Sequence, residues 1–82
     1  MKLELITPDQ KVYNGEVKLV KVPGSKGSFE ILKNHAPIIS TLDNGEVKII
    51  DARDKTVFYE ISGGVIEVKQ NYIIILAESV IL

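Results

Sequence analysis

Apolar and polar residues alternate over short runs along this chain, and no segment holds a 3.6-residue period for the length of a helix. A period of two puts Leu3 and Leu5 on one face of a strand over Lys2–Thr7. It aligns Phe29 with Ile31 in Ser28–Leu32, and Val57, Tyr59 and Ile61 in Lys55–Ser62. Further strands are expected over Lys11–Tyr13, Glu16–Val22, Ile38–Leu42 and Glu46–Ile50, and around Ile66 and Val68. Tyr72–Ala77 is apolar throughout and reads as a buried strand, with a last extended piece over Glu78–Leu82. Within Glu16–Val22 the phase slips once, since Val17 and Leu19 share a face that Val20 and Val22 do not. Such a slip marks a bulge or burial on both faces.

Turn chemistry closes each run. Pro8-Asp9-Gln10, Asp51–Asp54 and Gln70-Asn71 are turns, and Asn14-Gly15 is expected to break the second strand. Asp43-Asn44-Gly45 is read as a tight hairpin that pairs Glu46–Ile50 back onto Ile38–Leu42, because an Asn-Gly step suits positive φ. Gly63-Gly64 falls at a change of phase and predicts a corner between two sheets. About nine or ten short strands with turns roughly every 8–12 residues make the chain all-β, a sandwich or a barrel, with no substantial helix.

Composition supports strands and removes several function classes. The 82 residues form a single domain over 1–82, and nine valines and twelve isoleucines supply most of its apolar mass. A formal charge of −1, with both signs interleaved, provides no basic stripe for nucleic acid. Aromatics at 6% provide no stacking platform for an oligonucleotide-binding barrel. The absence of cysteine excludes a disulfide frame, a thiolate metal site and a thiol nucleophile. The N-terminus alternates from the start, unlike a signal peptide, and no apolar run approaches the ~20 residues of a membrane helix.

Any distinctive chemistry is concentrated in Pro23–Pro37, which strand alternation does not explain and which holds the single histidine. His35 with Ser25, Ser28 or Ser40 would be the only material for a small hydrolase, but no nucleophile-elbow signature accompanies them. One histidine without cysteine is too little for a metal site. Gly24–Gly27 lacks the Gly-Lys-Ser/Thr ending and following helix of a phosphate loop, and is read as a turn needing positive φ. Asp54-Lys55-Thr56-Val57 faintly echoes the acceptor site of lipoyl or biotinyl carrier domains, which makes modification at Lys55 the alternative reading.

Pro23-Gly24-Ser25-Lys26-Gly27-Ser28-Phe29-Glu30-Ile31-Leu32, followed by His35-Ala36-Pro37, resembles the epsilon subunit of F-type ATP synthase. Leu3–Thr7 with Val12-Tyr13-Asn14-Gly15, Leu42–Ile49, Ile61–Val68 and Leu76-Ala77-Glu78 extend the resemblance over essentially the whole chain. Two positions depart from the family pattern, where Glu30 and Asn34 replace glycines. Asparagine tolerates left-handed backbone, so position 34 is expected to keep its geometry, and Glu30 to sit in ordinary strand.

The resemblance implies a two-layer β-sandwich in the rotor's central stalk, non-catalytic and without cofactor or small-molecule substrate. Its implied partners are the gamma subunit and the ring of c subunits, and its implied role is coupling proton or sodium flow to ATP synthesis. It places the chain peripherally on the cytoplasmic side of the bacterial plasma membrane, with no membrane insertion of its own. Gly24, Ser25, Lys26, Gly27 and Ser28 are the candidate contact with the c-ring, and His35 and Thr7 the candidates for gamma. Family members generally continue into an inhibitory C-terminal helical hairpin, which is not carried over to a sequence ending at Leu82. Met1 and the apolar ending Val80-Ile81-Leu82 favour a naturally short subunit over a truncated one.

Overall fold

A computed structural model describes residues 1–81, so the final residue of the expected last extended piece, Leu82, lies outside the described residues. Nine strands follow in order: β1 Lys2–Ile6, β2 Lys11–Val22, β3 Phe29–Leu32, β4 Ile38–Leu42, β5 Gly45–Asp51, β6 Thr56–Ile61, β7 Gly64–Lys69, β8 Tyr72–Ala77 and β9 Val80–Ile81. No helix occurs among the described residues. The family resemblance therefore held for fold class, and the two layers are built around one shared strand.

That strand is β2. Its first half pairs antiparallel with β1, and its second half pairs with β3 and β5. The register shifts between Val17 and Leu19, so the expected bulge is present, but it falls one residue earlier than the slip in the sequence and Val17 and Leu19 do not share a face. The chain thereby turns its apolar side back toward the core, and Val17, Val20 and Val22 are all buried while Leu19 turns outward and is half-buried. One layer runs β4-β7-β8-β1-β2 and the other β3-β2-β5-β6-β9. Asn14 and Gly15, expected to interrupt β2, instead lie in its ladder opposite Glu4 and Leu3. The Tyr13 ring lies alongside Gly15, near enough to give a Cβ there an ordinary contact at 3.6 Å, so the glycine is shielded rather than frayed.

Leu3, Leu5, Ile66, Ile73 and Ile75 from the first layer meet Val20, Val22, Ile31, Val47, Ile49 and Ile61 from the second, all fully buried. Each such side chain contributes about 1.5–3 kcal/mol on leaving water. No polar or charged side chain is buried among the described residues, so this core carries no desolvated charge.

Gly63-Gly64 forms the predicted corner. β6–β7 and β8–β9 are two arms of one long hairpin, paired from Glu60↔Ile81 through Gly64↔Ala77 to Lys69↔Tyr72. The hairpin folds over where Glu78 N–H bonds the Gly63 carbonyl and Ser62 N–H bonds that of Ser79. Its tip is Gln70-Asn71, both with positive φ (52° and 60°).

Two further expectations are corrected. Asp43-Asn44-Gly45 is not a hairpin, because β4 pairs with β7 while β5 pairs with β2 and β6. Asn44 has no positive φ; Gly45 is small because a Cβ there would stand 2.8 Å from that of Pro23, whose carbonyl accepts the Asp43 N–H. The segment is a corner between layers, braced on Pro23. Likewise β8 is buried on one side only: Ile73, Ile75 and Ala77 face the core, while Tyr72 and Leu76 are exposed.

Candidate functional site: a loop and an apolar face on one layer

The loop at 24–28 leaves β2 through Pro23 and returns into β3. Gly24 is buried and bridges to Leu42, and a Cβ there would meet the Gly27 carbonyl and the Phe29 ring at 2.6 Å, so only glycine fits. The Gly27 N–H closes the turn on the Gly24 carbonyl at 2.9 Å, with Gly27 at φ 121° as the sequence reading expects. Beyond that anchor, Ser25, Lys26, Gly27 and Ser28 are exposed. Ser25 is fastened to β4: its N–H donates to the Thr41 carbonyl, its hydroxyl accepts from Thr41 Oγ1 at 2.9 Å, and that hydroxyl donates to Asp43 Oδ1 at 3.1 Å. Between loop and strand lies a groove of about 650 Å³ lined by Lys26, Ser28, Phe29, Ile39 and Ser40.

His35 sits in the connection from β3 to β4. Asn34, with φ 66°, keeps the left-handed backbone expected of it, and Glu30 is in ordinary strand. Asn34 N–H donates to Asn71 Oδ1 at 2.7 Å, and Asn71 Nδ2 donates back to Asn34 Oδ1 at 3.1 Å. The His35 ring bonds the neighbouring Ala36 carbonyl at 2.7 Å through Nδ1, which must carry the proton because a carbonyl only accepts. Ser25 and Ser40 are engaged elsewhere, the latter on the Thr41 carbonyl, and the His35 ring bonds the Ala36 carbonyl rather than Ser28, so no Ser–His pair of a hydrolase is assembled among the described residues. No group of three or more metal-ligating side chains occurs among the described residues.

Thr7 opens the β1–β2 turn, where its hydroxyl and N–H both engage Gln10. It follows β1 at the Ile6 end, whereas Asn71 bonds Lys2 N–H at the other end. Thr7 and His35 are therefore not brought together. They lie near opposite ends of the β1 layer, roughly 16 Å apart along the strand direction at the usual rise per residue.

The outer face of that layer joins them. Cross-strand rows place Thr41, Val65, Leu76 and Ile6 side by side, and Ile39, Glu67, Ile74 and Glu4 in the next row. Ile39 is 73% exposed, Leu76 54% and Val65 37%, and with Ile74 they cluster about one shallow hollow beside Glu67 rather than lying scattered. Glu4 crosses this face, taking Lys11 Nζ at 2.6 Å on one oxygen and the Tyr72 hydroxyl on the other. The Lys11 ammonium, then the Tyr72 hydroxyl, hold the Glu4 carboxyl below the usual range, and the carboxylate in turn raises Tyr72. Sequence reading missed this surface. Its signal was the unbroken apolar run of β8 together with Ile38-Ile39, where two apolar faces were taken for one core.

Lys55 is exposed beside the β5–β6 turn, one residue after Asp54 at φ 66°. Its N–H and that of Arg53 bond the Asp51 carboxylate, lowering the Asp51 pKa, and Lys18 pairs with Asp54 at 2.8 Å. This is a well-capped hairpin, and nothing in its geometry singles out Lys55 as a modification site.

The chain matches the ATP synthase delta/epsilon chain β-sandwich domain over residues 1–82. The ATP synthase epsilon chain of Caulobacter vibrioides is 38% identical over 95% of this chain and 90% of its own length. That of Chlorobium limicola is 38% identical over 96% and 90%. An epsilon chain of Leptospira interrogans is 41% identical over 95% of this chain but only 61% of its own length. Among solved structures, a chain of the Euglena gracilis mitochondrial ATP synthase (OSCP/F1/c-ring) superposes with a TM-score of 0.87 at 20% identity, over 96% of this chain and 51% of that one. One from the Tetrahymena thermophila central stalk and c-ring gives 0.81 at 18% identity, over 99% and 65%. These two likenesses establish the shared fold. The family match leaves the carrier reading of Lys55 without support. From its glycine loop to its bent closing hairpin, the chain belongs to the ATP synthase delta/epsilon β-sandwich family, whose epsilon chains are non-catalytic subunits.

Proposed function

We propose that this sandwich fixes the gamma subunit to the c-ring of an F-type ATP synthase, on the cytoplasmic side of a bacterial plasma membrane. Proton- or sodium-driven rotation of the ring then reaches the catalytic head through it. The observation that carries this reading is the apolar outer face of the β1 layer, with Ile39, Val65, Leu76 and Ile6 in adjacent rows. A face of that kind is the surface that a permanent neighbour covers. Thr7 and the His35 loop bound it at either end, so both gamma candidates belong to one interface. The exposed loop at 24–28, at the edge of the same layer, is the ring contact. Lys26 there meets acidic side chains or carbonyl groups of the ring.

The division of labour has a mechanical rationale. Ladder hydrogen bonds and an interdigitated core make the sandwich stiff, so torque entering at the loop is transmitted to the gamma face without shear. Inhibition of hydrolysis through C-terminal helices is not part of the function assigned to these 82 residues. In the Caulobacter relative the matched region is itself 90% of the subunit.

The test is co-purification of the chain with gamma and the c-ring from membranes. Leu76→Lys is expected to lose gamma, and Lys26→Glu to lose the ring while retaining gamma. Retention of both partners by both variants would sink this reading.

A further inference from the structure

The tip of the 24–28 loop makes no use of the core. Ser25, Lys26, Gly27 and Ser28 are exposed, and a Cβ at Gly27 would meet nothing within 4 Å. Such a tip samples many conformations unless something outside the core holds it, and ordering it at the moment of binding weakens a complex. Here the polar link to β4 supplies that hold. Thr41 Oγ1 donates to Ser25 Oγ, and Ser25 Oγ donates to Asp43 Oδ1, so the single serine proton is directed by a carboxylate. Ser25 N–H on the Thr41 carbonyl at 3.0 Å and Asp43 N–H on the Pro23 carbonyl at 2.8 Å close the same ring of contacts through the backbone.

We propose that Asp43, Ser25 and Thr41 are positioning residues that latch the 24–28 loop onto the edge of β4 and so preorganise Lys26 and Ser28 for the c-ring. The inference rests on the ring-contact reading above. It assigns a role to Asp43 and Thr41, which lie outside the loop and hold it through Ser25. The corner at 43–45 thus acquires a purpose beyond turning the chain: it delivers a carboxylate to the foot of the loop. Because the latch is solvent-exposed, breaking it loosens the loop while the fully buried core is left intact.

The test uses Ser25→Ala, Asp43→Ala and the shape-conserving Asp43→Asn, with Lys26→Glu as the contact control. Amide hydrogen exchange on the chain reads the loop, and binding to a purified complex of gamma with the c-ring reads the interface. Ser25→Ala and Asp43→Ala are expected to speed exchange at the Ser25 and Gly27 amides about fivefold, the worth of one net hydrogen bond, and to weaken ring binding by about as much. Amides of Ile49 and Ile75 keep their rates, which a general loss of stability would not allow. Asp43→Asn retains an acceptor oxygen and restores both readouts to within about twofold of the parent. Lys26→Glu weakens binding while leaving exchange unchanged. If Lys26→Glu weakens binding and Asp43→Ala alters neither exchange nor binding, the latch is wrong and the ring-contact reading stands. If Lys26→Glu leaves binding unchanged, the ring-contact reading falls and this proposal with it.

Discussion

Asn34 and Asn71 hold one another through two hydrogen bonds, backbone N–H of Asn34 to Asn71 Oδ1 and Asn71 Nδ2 to Asn34 Oδ1, across 37 positions of sequence. Both have left-handed backbone, at φ 66° and 60°, a conformation asparagine adopts more readily than other non-glycine residues. The pair ties the β3–β4 loop to the tip of the closing hairpin and fixes where His35 stands. Asn71→Ala loses both bonds and strains the turn, and is expected to cost about 2 kcal/mol. Asn71→Gly loses the bonds but relieves the backbone, and should cost about 1 kcal/mol. Denaturant unfolding of the two variants separates the contributions.

Gly64 takes the tightest backbone approach in the corner. A Cβ there would collide with the Leu76 carbonyl and with Ala77 Cα, all main-chain atoms of the paired strand with no flexible side chain to yield. Gly64→Ala is expected to cost about 3 kcal/mol or more, from overpacking added to strained φ. Gly27→Ala, with open space around it, carries only the backbone strain of about 1–2 kcal/mol. Thermal unfolding should therefore rank the two glycines clearly.

Neighbouring residues of β8 separate folding from docking. Ile75 is fully buried, and Ile75→Ala should cost about 2–5 kcal/mol. Leu76 points out from the same strand, so Leu76→Lys should shift stability by no more than about 0.5 kcal/mol. Its expected effect is on association, with gamma binding reduced at least about tenfold by a lysine forced into an apolar interface. Parallel unfolding and co-purification measurements check both halves.

The Glu4–Lys11–Tyr72 cluster gives stability two pH limbs. The Glu4 carboxyl is held low by the Lys11 ammonium first and the Tyr72 hydroxyl second. Its stabilisation is thus complete above the unfolded glutamate value, ~4.3, and lost as pH falls through the lower folded one. Asp51, held low chiefly by the Lys55 N–H, adds to the same acid limb. Tyr72 is raised by its bond to Glu4, so its contribution is complete below the unfolded tyrosine value, ~10, and lost as pH rises through the higher folded one. Glu4→Gln should be less stable than the parent at pH 7, and the gap should close in acid. Tyr72→Phe should flatten the alkaline limb. Melting temperatures across the range from acid to alkaline pH report both.

Strand positions were legible because the period of two is written residue by residue. β4 was legible at Ile38–Leu42 as it stands, and the existence of a bulge in β2, though not its position after Val17, and the turn at Gln70-Asn71 also follow from local pattern. The 24–28 loop was legible as a motif, since glycine at 27 and asparagine at 34 answer to a backbone geometry that few residues accept and glycine at 24 to a space that admits no Cβ. What local pattern leaves open is partnership. Asn44-Gly45 carries a hairpin signal, yet Pro23 leans on Gly45 and β4 goes to β7, because pairing is settled by which edges two layers bring together. The run Tyr72–Ala77 shows six apolar residues and not which alternate ones the core takes; only β1 and β7 on either side of β8 turn Ile73 and Ile75 inward and leave Leu76 exposed. Alternation, turn chemistry and the glycine motif were therefore properties of the sequence alone. Strand partners, the opposed ends of Thr7 and His35, and the apolar face between them came only with tertiary structure, because each depends on contacts between residues far apart in the chain.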